Sequence, residues 1–318
     1  MLRFTARRLV SMVFVLWAVS VLTFLIFMVM PGGGDEQAAL RIAGRNANEA
    51  QVNTVKREWG LDKPLYVQYG DLMSKVFTGE LISYTNQVNV REEIVRGIPR
   101  TSSLVIGAGI IWFFFGVLFG VLSAVYAGRF TDRALNVLAL IGISLPVFWV
   151  GLVLLYYLTD RIALFPPGGY TELGDDPIDW AYHLVLPWFA LSILFIGFYS
   201  RVLRSNILDI SNEDYVRTAR AKGLSERRIM LRHTLRNALI PVVTLWGLDL
   251  GAVLGGGAIL TESVFGLQGV GQYAAESIGR LDLPPIMGVV LYGAFFIVLL
   301  NAIVDILYAY LDPRIRLQ

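Results

Sequence analysis

Thr101–Ala127 reads TSSLVIGAGIIWFFFGVLFGVLSAVYA, a stretch with no Asp, Glu, Lys or Arg, flanked by Arg100 and Arg129. A helix of that length rises roughly 40 Å at about 1.5 Å per residue, more than the roughly 30 Å hydrocarbon core of a bilayer. Lipid offers no partner to a backbone amide, so such a segment must close its hydrogen bonds within itself, and a helix does so. Five further stretches of the same kind lie along the chain, at Leu9–Met30, Ala134–Thr159, Trp180–Ser200, Asn237–Leu260 and Ile286–Leu311. Only the last two hold acidic residues, Asp249 and Asp305. The 318 residues are 55% hydrophobic and 16% charged, whereas a soluble domain carries about a quarter charged residues. The expected fold is all-α and integral to the membrane, with six transmembrane helices.

The basic residues set the expected orientation. With the N-terminus in the cytoplasm, the inner segments hold Arg3, Arg7 and Arg8, then Arg129 and Arg133, nine basic residues from Arg201 to Arg236, and Arg314 with Arg316. Those sixteen face only six acidic residues, while the two short outer loops hold one basic residue each, Arg161 and Arg280. Both termini are expected inside. The start resembles a signal peptide, but its apolar run is too long, and Pro31-Gly32-Gly33-Gly34 follows in place of a small-x-small site. It reads as a retained first helix over residues 1–30. Residues 31–100 read as a small, mostly helical extracytoplasmic insert, and residues 101–318 as the core with five spans. Within the insert, Gln51–Trp59 has helix formers, Lys63-Pro64 starts a new helix, and Thr78-Gly79 closes it. Pro146, Pro187 and Pro241 place kinks in or near spans three to five.

The chain has no cysteine, which excludes disulfides, thiolate metal sites and thiol catalysis. His183 and His233 lie far apart without a ligand pattern, so no metal is expected. No Gly-x-x-x-x-Gly-Lys-[Ser/Thr] loop is present to cradle phosphates, and no catalytic constellation suggests an enzyme. Nothing points to nucleic acid.

The inner segment 201–236 is the most informative. Ser211 reads as the N-cap of a short helix with Glu213 and Asp214 in its first turn, ended by Gly223 and followed by Leu224. Tyr215, Val216 and Ala219 share one face, with Arg217 and Arg220 pointing away. An exposed apolar face in a basic setting suits docking on another protein; the alternative is a basic loop lying on anionic headgroups. Ser225 begins a second helix that runs into span five. In that span Gly247, Gly251 and Gly255 recur every fourth position as a packing stripe, and Asp249 lies nearly opposite. A mid-membrane carboxylate needs water or a partner. Asp249 therefore either faces an aqueous translocation pathway or is a hydrogen-bonded structural group between helices. Asn301 and Asp305 read as contacts between helices or partners for Arg129 or Arg133.

Asp214-Tyr215-Val216-Arg217-Thr218-Ala219-Arg220-Ala221-Lys222-Gly223-Leu224-Ser225, with His233 through Pro241, resembles the cytoplasmic coupling loop of the dipeptide/oligopeptide-type ABC importer permeases. Arg217, Thr218 and Ala219 occupy the places of that family's Glu-Ala-Ala before Gly223; the Glu and the first Ala are replaced here. Gly60-Leu61-Asp62-Lys63-Pro64, Leu254-Gly255-Gly256-Gly257-Ala258, Thr261-Glu262-Ser263-Val264-Phe265 and Asp312-Pro313-Arg314 add to the likeness. The resemblance implies a type I importer permease fold in a bacterial or archaeal cytoplasmic membrane. It implies a second homologous permease subunit, two ATP-binding subunits carrying ATP and Mg, and an extracytoplasmic solute-binding protein. Peptides, delivered by that protein, are the implied solute. Asp214 through Arg220, with Gly223 and Leu224, are implied to couple to the ATPase. Glu262, Phe265, Leu267 and Gln268 are expected to meet the binding protein. An ion-coupled carrier acting alone, or a membrane scaffold, are the competing classes.

Overall fold

The computed structural model describes residues 2–29, 34–44 and 47–311. Among the described residues the architecture is helical, and the strand-like feature is an isolated antiparallel bridge between Ile82 and Asn89. In chain order the helices are α1 (Leu2–Val29), α2 (Gly34–Ala43), α3 (Glu49–Glu58), α4 (Leu65–Thr78), α5 (Val90–Val125), α6 (Phe130–Ser144) and α7 (Val147–Leu154). They continue with α8 (Pro177–Ser211), α9 (Asp214–Ala221), α10 (Glu226–Ile229), α11 (Leu235–Ala252), α12 (Ile259–Phe265), α13 (Val270–Arg280) and α14 (Leu283–Leu311). π-Helical turns extend α7 through Leu155–Arg161, join α10 to α11 through Met230–Thr234, and extend α11 through Val253–Gly257.

Five of these segments are long and apolar enough to cross a bilayer: Val10–Met28, Val90–Val125, Pro177–Ser211, Glu226–Gly257 and Leu283–Val304. The expected third span is not one helix. α6 and α7 pass the same test only as a pair, bent by 97°. The break falls at Leu145, which is extended (φ −83, ψ 126) ahead of Pro146, because a residue before proline is pushed out of the helical region. Pro187 and Pro241, by contrast, sit inside α8 and α11, which run on through them. The fifth span stops at Gly257 and does not reach Leu260, since Gly256 adopts φ +141, a conformation that costs little only without a Cβ.

The chain forms two compact units. The first comprises Met1–Thr101, Leu254–Ser263 and Leu267–Leu299. Its insert is helical as expected. α3 opens with a capping box, Gln51 N donating to Asn48 Oδ1 and Asn48 N to Gln51 Oε1, both at 2.9 Å. α4 starts after Pro64 and closes at Gly79, whose φ is +78. These short helices do not stand alone. Phe24 and Met28 of α1, Ala38 and Ala39 of α2, Leu72 of α4, and Leu283 and Met287 of α14 share one buried cluster. Asp282, 3% exposed, ties the turn at 83–85 to this cluster. It accepts from Ser83 Oγ at 2.6 Å and from the Tyr84 and Thr85 amides at 3.0 Å. α5 begins at Val90, so the last part of the 31–100 segment is already helical.

The second unit comprises Ser102–Val253, Val264–Gly266 and Leu300–Gln318. α5 lies against α8 at the closest range glycine permits. A Cβ on Gly107, Gly116 or Gly120 would come within 3 Å of Trp188, Tyr199 or Leu203. Trp188 Nε1 donates to Ser103 O at 2.9 Å and Ser192 Oγ to Ala108 O at 3.1 Å, so backbone carbonyls of α5 serve as acceptors for α8. α6 packs equally closely: a Cβ on Gly197 would lie 2.5 Å from Ala139 O. The side chain of Asp305 and all of Asp312, Pro313 and Arg314 lie outside the described residues.

Candidate functional site

The segment that follows α8 is built to present one short helix. Ser211 is not its cap. That residue ends α8, its hydroxyl bonded to Ile207 O at 2.6 Å, and Glu213 takes the N-cap position with an extended backbone. A serine can satisfy the preceding turn or cap the next helix, and here the long helix wins. The exit is as expected: Gly223 has φ +78, with no atom within 4 Å of where a Cβ would stand.

The two faces of α9 differ. Val216 and Ala219 are buried, packed with Ile229 of α10 and flanked by Ile210 of α8 and Leu224. The expectation of an outward apolar face is therefore corrected: the chain covers that face itself, because the turn at Gly223 brings α10 back over it. What α9 presents outward is polar, with Asp214, Tyr215, Arg217, Thr218 and Arg220 all exposed. Tyr215 leans on α11, its Oη donating to His233 O at 3.2 Å and accepting from Asn237 Nδ2 at 2.8 Å. Arg220 grips Glu226 of α10 through Nε–Oε1 at 2.7 Å and Nη2–Oε2 at 3.3 Å. Exposed pairs of this kind contribute little stability, but they hold the arginine in place. Arg217 keeps only a long contact to Asp214, 3.8 Å.

An ionic knot ties α8 to α6. Asp132, at the start of α6 and 4% exposed, accepts from Arg204 Nε and Nη2 of α8 at 2.7 and 2.8 Å. It also accepts from Ser123 Oγ at 2.5 Å, Gly128 N at 2.8 Å and Asn136 Nδ2 at 2.7 Å. Sequence reading passed over this pair and offered Arg129 and Arg133 to Asp305 instead. The available signal was a single acid, Asp132, between two arginines in an otherwise basic loop. Arg129 instead lies 6.0 Å over the Tyr126 ring.

Higher along α8, Tyr199 Oη donates to Asp249 Oδ2 of α11 at 2.6 Å. Tyr199 is 1% exposed and Asp249 half-buried. Nearby on α5, Trp112 stacks on Phe195 of α8 with centroids 4.4 Å apart. The glycine stripe faces α14. A Cβ on Gly247 would lie 2.2 Å from Val304 Cγ2, and one on Gly255 would lie 2.9 Å from Gly293 O; Gly251 is also buried.

The four residues expected to meet a binding protein fare differently. Glu262 and Leu267 are fully buried and Phe265 is 2% exposed; of the four, Gln268 alone presents its side chain. Phe265 O accepts from Gly169 N at 2.9 Å, and a Cβ on Gly151 would come within 3.1 Å of its ring. Glu262 is an internal cradle: Oε1 accepts from Thr101 Oγ1 at 2.8 Å and Oε2 from Gln272 N at 2.9 Å. Burial pushes its carboxyl above the ordinary carboxylate range, against donors that favour the ionised form. Through these bonds Glu262 fixes the loop before α13. His183 Nδ1 stays on its own helix at Asp179 O, 2.9 Å, and among the described residues no group of three acids or histidines is placed to hold a metal.

Residues 116–317 match the family described as binding-protein-dependent transport system inner membrane component, and residues 1–105 match its N-terminal companion family. The chain belongs to that family. Among its relatives is the Probable peptide ABC transporter permease protein y4tP of Sinorhizobium fredii, 37% identical, with 98% of each chain covered. Another is the di/tripeptide transport system permease protein DppB of Pseudomonas aeruginosa, 36% identical, with 100% of each covered. A solved structure titled as an inward-facing form of the MetNI methionine ABC transporter superposes with a TM-score of 0.54. It is 18% identical, covering 69% of this chain and 96% of that one, which establishes the type I importer permease fold. The permease is thus a multi-pass membrane component of the peptide ABC importer family, whose members work beside ATPase, permease and binding-protein subunits.

Proposed function

We propose that this permease moves peptides, handed over by an extracytoplasmic binding protein, by alternating access driven from α9. In this reading both termini and α9 face the cytoplasm. A second permease subunit completes the pathway, and two ATPase subunits hold the ATP and Mg. The observation that carries the reading is the two-sidedness of α9: an eight-residue helix whose apolar side is locked to α8 and α10 and whose polar side is exposed. A helix that short has little stability of its own, so a push on its outer face is passed through Val216 and Ala219 to α8 and to α10, which runs on into α11. The Asp132–Arg204 knot extends that path from α8 to α6.

The test is a cysteine at exposed Thr218, paired with cysteines across the cleft face of the partner ATPase in the assembled complex. Bridging that depends on the nucleotide state is expected. An intact complex in which Thr218→Cys never bridges, or in which that thiol reacts from outside the cell, overturns the reading. We also assign Asp249, steered by Tyr199, to the pathway wall. Transport rate and solute preference unchanged in Asp249→Asn would remove that assignment without touching the first.

A further inference from the structure

The turn between α5 and α6 sorts its side chains by charge. α5 carries an uncharged run as far as Ala127, so the turn that follows lies where a span leaves the hydrocarbon. Gly128 makes the turn with φ +78, and α6 starts at Phe130. Asp132 is the single acid between Glu93 and Asp160. It points into the protein, held by Arg204 of α8 at 2.7 and 2.8 Å and by the Gly128 amide at 2.8 Å. Arg129 and Arg133, on either side of it in the chain, stay exposed. Neither makes an ion pair among the described residues.

The rest of α6 continues the division. On a helix of about 100° per residue, Asp132, Ala139 and Gly142 share one side, and all three are buried. Phe130, Arg133, Val137, Leu140 and Ile141 share the opposite side, a stripe about 100° wide. Every one of those five is exposed, Phe130 by 84%. The arginines come first along the stripe and the aliphatic side chains follow, with a rise of roughly 12 Å from Arg133 to Ile141. Cations where the span leaves the hydrocarbon, then an apolar strip running inward, reproduce the order of headgroup and chain in an anionic phospholipid.

We propose that the outward face of α6 is a binding site for an anionic phospholipid. Arg129 and Arg133 donate to the headgroup phosphate, whose oxygens match the guanidinium fork. An acyl chain lies along Val137, Leu140 and Ile141, with Phe130 at the boundary. A zwitterionic phospholipid offers the same phosphate and chains but sets its own ammonium beside the arginines, so the site selects net headgroup charge. The inward pairing of Asp132 with Arg204 makes that selection possible, because an outward Asp132 would offset one of the two arginines. An acidic protein surface would satisfy the arginines and leave the aliphatic strip above them unmatched.

The experiment uses the full permease in its assembled transporter, delipidated in detergent. It is titrated separately with phosphatidylglycerol and phosphatidylcholine of matched acyl chains, and native mass spectrometry gives the Kd of the first lipid bound. A basic residue at an anionic lipid surface contributes about fivefold, so the two arginines should favour phosphatidylglycerol by about twenty-five-fold. Arg129→Gln/Arg133→Gln, at exposed positions where the fold is not at issue, should lower that ratio by about fivefold or more. Arg227→Gln/Arg228→Gln removes the same charge from exposed positions on α10 and should leave the ratio within about twofold. A smaller fall in the first variant or a larger one in the second overturns the proposal. So does a wild-type transporter without a preference, the result that a protein partner covering α6 would give. Binding is read without nucleotide or solute, so failure here leaves the α9 reading untouched.

Discussion

Truncating Val216 to alanine asks how firmly the lever helix is held. Val216 is fully buried, and the cluster around it contains only Ala219 and Ile229 as further buried members. Removing two methyl groups from such a site costs about 2 kcal/mol, combining the lost transfer energy with an unfilled cavity. The cluster is local, so the loss falls on the docking of α9 and not on the long helices. A shift of about 2 kcal/mol raises the undocked fraction about thirtyfold. Cleavage by trypsin after Arg217 or Arg220, both on the exposed face, reads that fraction directly when opening is fast relative to cutting. The mapped cleavage rate at those two sites should rise by about the same factor, and solute moved per ATP hydrolysed should fall. Val216→Ile, which keeps the methyls, should restore most of both. A cleavage rate at 217 and 220 unchanged in Val216→Ala would refute the idea that this small core anchors the helix. A change accompanied by equal loss of the whole transporter's thermal midpoint would refute its locality.

Asp132→Ala strands the Arg204 guanidinium and the donors of Ser123, Gly128 and Asn136, so a loss of about 3–5 kcal/mol in unfolding free energy is expected, measured by denaturant titration in detergent. Gly223→Ala meets no atom within 4 Å, so its cost is the left-handed backbone alone, about 1–2 kcal/mol; Gly223→Asn should recover part of it in the same proteolysis assay. Glu262 has a raised folded pKa, so the folded state binds its proton more tightly than the unfolded chain does. Its contribution is complete below the unfolded value of about 4.3 and is lost as pH rises through the folded value. The thermal midpoint should therefore fall with pH across that window, and Glu262→Gln should flatten the slope; an equal slope in both proteins would rule out Glu262 as its source.

Much of this was legible in the amino-acid order because its signals are local. Apolar runs report transmembrane length, Lys63-Pro64 reports a helix start, and Gly79 and Gly223 report positions where the chain turns through the left-handed region. The family likeness of the 214–225 segment is equally local, and the matches to binding-protein-dependent permeases bear it out. What the order did not yield were partnerships across the sequence. Tyr199 and Asp249 are fifty residues apart, Asp132 and Arg204 seventy-two, and nothing local marks Tyr199 or Arg204 among the other tyrosines and arginines.

The same division explains what the sequence left open at α9 and at the segment 262–268. The sequence by itself determined that α9 is amphipathic and that the segment 262–268 follows a glycine-rich break. Only the tertiary structure decided that Val216 and Ala219 face inward onto Ile229, and that Glu262, Phe265 and Leu267 are covered while Gln268 is not. Periodicity states which side chains share a face, but whether that face meets solvent or the chain's own next turn depends on where distant segments pack.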